Sequence, residues 1–136
     1  MADTRHAKGI LDTSVVVDLD RLDAAILPRE IAVTALTMAE LAAGPFATDE
    51  PAEQARRQDR LQRTEAAFAA LPFDDEAARA YGRVYAAVAA RGRDARGARA
   101  VDLMIAAIAC SVDLPLYTRN PSDFAALEGV VEIVAV

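Results

Sequence analysis

From Ala100 to Cys110 the sequence is continuously apolar except at Asp102. Such a run reads as a helix buried in the fold, and a carboxylate within it loses hydration. Without a partner that group costs several kcal/mol or takes up a proton. The fold must therefore compensate Asp102. Three further acids stand where apolar or turn chemistry would be expected: Ile10-Leu11-Asp12-Thr13-Ser14, Thr37-Met38-Ala39-Glu40-Leu41 and Asn120-Pro121-Ser122-Asp123-Phe124. A divalent cation shared among the acids would supply the compensation.

The chain is long enough, at 136 residues, to bury a core as one domain. Residues 1–8 are expected to be a short tail and residues 9–136 the domain. An apolar fraction of 54% against 26% charged residues points to a globular chain. No apolar run reaches the roughly 20 residues needed to cross a bilayer. The polar opening Met1 to Lys8 lacks the apolar core of a signal peptide. The single Cys110 excludes an internal disulfide and a Cys-based zinc site. A soluble, cytoplasmic protein is the expectation. A net charge of −6 argues against non-specific coating of nucleic acid, but it suits a site that must hold cations. Lys8 is the only lysine, which removes mechanisms that need a buried one.

Strand and helix patterns alternate along the chain. Gly9 to Leu11 reads as a strand, Ser14 to Leu22 as a helix, and Glu30 to Val33 as a second strand. Thr34 or Thr37 can cap a helix that ends at Gly44-Pro45. Pro51 opens a long charged helix with Arg56, Arg57, Arg60 and Arg63 around an apolar stripe. Leu71 to Phe73 reads as a brief strand and Glu76 to Ala90 as a helix. An Arg- and Gly-rich loop, Arg91 to Arg99, precedes the apolar helix. Leu116 to Thr118 and Val130 to Val136 read as strands flanking a short helix from Pro121 to Ala126. Strands separated by helices call for right-handed crossovers and a mainly parallel sheet covered on both faces. Ligands of such sheets bind beyond the carboxyl ends of the strands. Asp12 follows a strand directly, Asp123 lies just past another, and Asp102 falls near the first turn of its helix. Convergence of all four acids at one rim is the expectation.

Each acid alone has a plainer reading. Asp12 before Thr-Ser is a good helix cap, Glu40 a helix-surface carboxylate, and Asp123 a cap or a partner of Arg119. Asp102 could pair with Arg99 or face solvent. Together the acids fit hard-cation chemistry, because magnesium takes oxygen ligands and usually only one or two protein carboxylates directly. Such an ion can acidify a water and neutralise charge on a phosphoryl oxygen.

The ordered set Leu11-Asp12-Thr13-Ser14, Ala39-Glu40-Leu41, Val101-Asp102-Leu103-Met104-Ile105-Ala106-Ala107 and Thr118-Arg119-Asn120-Pro121-Ser122-Asp123-Phe124 resembles PIN-domain ribonucleases, most closely the VapC toxins of bacterial toxin–antitoxin pairs. The resemblance runs from Gly9 to Val136. It implies a three-layer α/β/α sandwich around a mainly parallel sheet, and magnesium-dependent hydrolysis of RNA phosphodiester bonds, with manganese as an alternative ion. It places Asp12, Glu40, Asp102 and Asp123 in the catalytic quartet, with Asp12 and Asp102 as metal ligands. Ser14 matches a hydroxyl that supports the first acid or a phosphate, and Thr118 and Asn120 match supporting or substrate-facing groups. It also implies a homodimer and inhibition by a cognate VapB-like antitoxin. The family often starts almost directly with its first strand, whereas eight residues precede Gly9 here. His6 is accordingly expected in a frayed tail.

Other readings carry less. The loop Arg91 to Arg99 lacks the Gly-Lys-Ser/Thr ending of a nucleotide-binding P-loop and reads as solvated charge or local phosphate steering. Asp18-Leu19-Asp20 suggests a phosphatase pair, yet both acids fall within an expected helix rather than directly after a strand. A PIN-like scaffold without catalysis is the remaining alternative, disfavoured because all four acids are present.

Overall fold

The computed structural model of the chain describes residues 5–92 and 100–136. Its sheet is built from β1 (Lys8–Leu11), β2 (Glu30–Thr34), β3 (Ala70–Leu71), β4 (Leu116–Thr118) and β5 (Ile133–Ala135). The spatial order is β3-β2-β1-β4-β5, and every neighbouring pair is parallel. Helices α1 (Thr13–Val17), α2 (Ala35–Ala43), α3 (Pro51–Ala67), α4 (Asp75–Ala90) and α5 (Ala100–Val112) make the connections. The first strand lies at the centre of the sheet, so its carboxyl end is flanked by the ends of β2 and β4. Such a central parallel strand order opens a crevice at that edge.

The period-2 alternation of a strand sends neighbouring side chains to opposite faces. Ile10 stands in register with Ala32 and with Leu116, and these residues pack with α4 and α5 through Val84, Leu103, Ile105 and Ile108. Leu11 stands in register with Tyr117, and both pack with Val33, Val15, Val16 and Leu41 on the other face. The result is an α/β/α sandwich with two cores. Gly9 belongs to the second face by the same alternation. A Cβ added there would lie 2.6 Å from the Tyr117 ring and 3.2 Å from Pro28 Cβ, so the close approach of ring to backbone requires glycine.

Local chemistry sets the helix ends. Asp12 caps α1, its side chain accepting from Val15 N–H. Thr34 caps α2 and Asp74 caps α4 in the same way. Helix α5 stops at Asp113, which takes the left-handed conformation at φ 54°. The chain then enters β4 from the amino edge of the sheet, which points the first turn of α5 towards the carboxyl edge.

Several expectations need correction. The helix expected over Ser14 to Leu22 is broken: α1 ends at Val17, and Leu19–Arg21 forms a separate 3-10 turn. Asp18 N–H returns to Val15 O and Arg21 N–H to Asp18 O, three-residue bonds that tighten the chain out of the α-helix. The final strand starts at Ile133 rather than Val130, because Gly129 turns the chain at φ 86° and Val130 N–H returns to Leu127 O. The first strand begins at Lys8. His6 is not frayed: its Nε2 lies 2.8 Å from Glu132 Oε2, its ring meets the Tyr117 ring edge-on at 6.2 Å, and its carbonyl accepts from Arg29 N–H. The loop from Arg91 to Arg99 lies mostly outside the described residues.

Candidate active site

Asp12 is the most constrained of the expected site residues. It follows β1 and its backbone N–H extends the ladder to Tyr117 O at 3.0 Å. Only 4% of its surface is exposed, yet it is an acid, so it needs donors. Oδ1 accepts from Val15 N–H at 3.2 Å and from the Ser14 hydroxyl at 2.5 Å. Ser14 Oγ in turn accepts from Arg119 N–H at 3.0 Å. One hydroxyl therefore ties the carboxylate after β1 to the loop after β4.

The loop after β4 is organised by Thr118. It is fully buried, and its Oγ1 accepts from Asn120 N–H at 3.0 Å, a local side-chain turn that fixes the exit of the strand. Burial removes Thr118 from substrate and leaves it a supporting role, whereas Asn120 is exposed. Asp123 is half-buried in the 3-10 helix Pro121–Leu127, where its N–H donates to Asn120 O. Glu40 is exposed on α2, and its Oε1 accepts from the Thr13 hydroxyl at 2.5 Å. That bond brings α2 against the start of α1.

Asp102 lies in the first turn of α5 and is half-buried rather than enclosed. The buried residues of α5 are Leu103 and the run from Ile105 to Ala109, so the helix keeps a rim at its start where a carboxylate retains some water. The cost inferred from the apolar run is correspondingly smaller. Topology brings all four acids towards the carboxyl edge: Asp12 and Asp123 follow strands there, Glu40 sits on the helix after β2, and α5 packs against α2 with its first turn facing that edge.

The candidate ligands Asp12, Glu40, Asp102 and Asp123 offer carboxylate oxygen, the donor chemistry that a hard cation takes. Among the described residues no three acids, histidines or cysteines form a group that could by itself hold a metal ion.

Beside Glu40 opens a cleft of about 460 Å³, lined by Thr13, Asp18, Arg21, Glu53, Arg57 and Arg60 among others. Arg57 is engaged by Glu53 at 3.0 Å and donates to Gly44 O at 2.9 Å. Those arginines hold Glu53 below the usual carboxylate range through hydrogen bonds from Arg56 and Arg57. Asp18 and Asp20 diverge, Asp18 towards Arg119 and Arg21 and Asp20 to Arg63, so they form no phosphatase pair. Sequence reasoning missed Thr13 and treated Thr37 only as a cap. The spacing Thr34-x-x-Thr37-x-x-Glu40, in which each residue lies about one turn from the next, was the available signal.

A family model described as the PIN domain matches residues 10–129. Ribonuclease VapC5 of Mycobacterium tuberculosis (strain ATCC 25618 / H37Rv) is 41% identical over 138 residues, covering 98% of each chain. The structure of VapBC-5 from Mycobacterium tuberculosis, a member of the VapBC family of toxin–antitoxin systems, aligns with a TM-score of 0.84. That match is 42% identical and covers 96% of this chain and 99% of the other. VapBC-1 from nontypeable Haemophilus influenzae shares the fold, with a TM-score of 0.73 at 20% identity over 94% of this chain and 97% of the other.

Proposed function

Because the chain belongs to the PIN-domain family, in its VapC branch, we propose that it is a metal-dependent endoribonuclease toxin held in check by a VapB-like antitoxin. The observation that carries the catalytic reading is the clamped carboxylate of Asp12 at the carboxyl end of the central strand. A buried acid oriented by Ser14, with that same serine gripping the loop after β4, is built to hold charge at a fixed point.

Asp12 and Asp102 would hold the ion, and Glu40 and Asp123 complete the quartet. When bound, magnesium or manganese supplies positive charge that polarises a phosphate and lowers the pKa of a water. The chain's own residues then do the positioning. Ser14 and Val15 N–H fix the Asp12 carboxylate, and Glu40 offers an accepting oxygen for the proton of the attacking water. The exposed Asn120 faces substrate, while Thr118 fixes the loop that carries it. Arg60, on the cleft beside Glu40, contacts the phosphodiester backbone. No described helix is long and apolar enough to cross a membrane. A homodimer and a cytoplasmic location complete the proposal.

The test is cleavage of RNA by the full chain freed of antitoxin. Cleavage should require magnesium and stop with chelator. Asp12→Asn and Asp102→Asn should each lose about two to three orders of magnitude in rate, the scale of removing a preorganised charged group. Circular dichroism should show both variants folded. Full magnesium-dependent activity in either folded variant would remove that residue from the site, and an inactive wild type would support the scaffold reading instead. Toxicity on induction that a co-expressed antitoxin relieves would test the toxin half of the assignment.

A further inference from the structure

We propose that Thr13 is the positioning residue for Glu40, acting at the end of a one-way chain of threonine hydroxyls that starts at the cap of α2; this rests on the nuclease reading of the site. Thr13 Oγ1 lies 2.5 Å from Glu40 Oε1 and 3.0 Å from Thr37 Oγ1. Thr37 Oγ1 lies 3.5 Å from Thr34 Oγ1, the longest link, and Thr34 Oγ1 accepts from Thr37 N–H at 3.2 Å. Thr34 and Thr37 are fully buried.

The direction of the chain follows from proton counting. A carboxylate oxygen only accepts, and each hydroxyl has a single proton to give. Thr13 spends its proton on Glu40, so Thr37 must donate to Thr13. Thr37 then has only a lone pair left for Thr34, which donates to it. Every proton points towards Glu40. Aligned hydroxyls polarise one another, and burial of the first two protects the chain from water.

The geometry separates this from an ordinary surface glutamate. Glu40 is exposed and its long side chain would otherwise sample many rotamers. Thr13 is the residue after Asp12 and the first of α1, whereas Thr37 lies one turn before Glu40 on α2. The hydroxyls therefore set the distance between the two helices that carry Asp12 and Glu40. Ser14 clamps Asp12 from one side and Thr13 clamps Glu40 from the other, so adjacent residues of Asp12-Thr13-Ser14 serve two different acids.

The experiment measures magnesium-dependent cleavage of a short RNA oligonucleotide by the full chain carrying Thr13→Val, Thr13→Ser or Glu40→Gln, with Asp12→Asn as the inactive control. Thr13→Val should lower kcat about tenfold to a hundredfold, the scale of misplacing a reacting group by an ångström, with KM within about twofold. Thr13→Ser should recover most of the loss, and the thermal midpoints should match. In the Glu40→Gln background Thr13→Val should cost little more, because both act through one group. Wild-type kcat in folded Thr13→Val, equal impairment by Ser and Val, or fully multiplicative losses would each overturn the assignment. Should Thr13→Val fail to fold, Thr37→Val removes the donor to Thr13 and the acceptor of Thr34 but leaves the Thr13–Glu40 bond; it should show a smaller loss, and unchanged kcat would break the chain. An RNA- and metal-free readout isolates the proposal from the nuclease reading: the Glu40 carboxyl carbon resonance should move in Thr13→Val and return in Thr13→Ser. An unmoved resonance overturns the positioning role; an inactive wild type with a moved resonance overturns the nuclease reading alone.

Discussion

The two faces of the sheet are built from the same strands yet hold different chemistry. The face covered by α4 and α5 is packed by Ala, Val, Ile and Leu, including the whole run from Ile105 to Ala109. The face covered by α1 and α2 has its own apolar layer, but its carboxyl edge carries two hydrogen-bonded sets, Asp12 with Ser14, and Glu40 with Thr13, Thr37 and Thr34. The difference teaches where rigidity comes from. On the first face it comes from close packing, which tolerates no void. On the second it comes from directional bonds, which fix oxygens in space at the cost of sparser apolar contact. The fold can therefore lose stability without losing its site, or lose its site without losing stability.

The largest stability effect should come from the apolar face. Ile105→Ala removes a fully buried side chain between α5 and the sheet and should cost about 2–5 kcal/mol in denaturant unfolding. The kcat of the fraction that remains folded should be unchanged; a parallel fall in kcat would break the division between faces. Gly9→Ala probes the other face, where the added Cβ meets the Tyr117 ring, and should cost about 1–3 kcal/mol from overpacking. Since Tyr117 lies one residue before Thr118, some loss of activity is expected here and would sharpen the contrast.

Arg60→Gln should act on substrate alone. Arg60 lines both the cleft beside Glu40 and a smaller one between α1 and α3. The variant should raise KM for RNA several-fold and lower the salt slope of binding by about one, with unfolding unaffected. An unchanged salt slope would remove Arg60 from the phosphate path. The smallest effect concerns pH. Burial pushes the Tyr117 phenol above its ordinary 10.0, with the Glu132 charge adding to the rise and a backbone hydrogen bond at His6 opposing it. A raised folded value means that its contribution is intact below the unfolded value and is lost as pH rises from there through the folded one. Stability should fall slightly more steeply above pH 10 in the wild type than in Tyr117→Phe.

Much of this was legible before any coordinates. Strand and helix alternation gave the parallel sheet, because only crossovers can join parallel neighbours. Motif order made Asp12, Glu40, Asp102 and Asp123 the candidates for one site, the assignment that the Asp12→Asn and Asp102→Asn variants test. The break after Val17 was not legible, since Val15, Val16 and Leu19 continue an apolar pattern that local hydrogen bonding at Asp18 cuts short. Nor was the docking of His6 against Tyr117 and Glu132, whose sequence separations exceed any local signal.

Asp102 marks the boundary. The sequence by itself determined that this acid begins an apolar helix and that three other acids accompany it, because residue type and period fix local structure. Only the tertiary structure decided that Asp102 sits at a half-open rim and that Thr13 bonds Glu40 across 27 positions. Those facts depend on which strand ends lie side by side. That order is set by the packing of both sheet faces at once, which no local segment encodes.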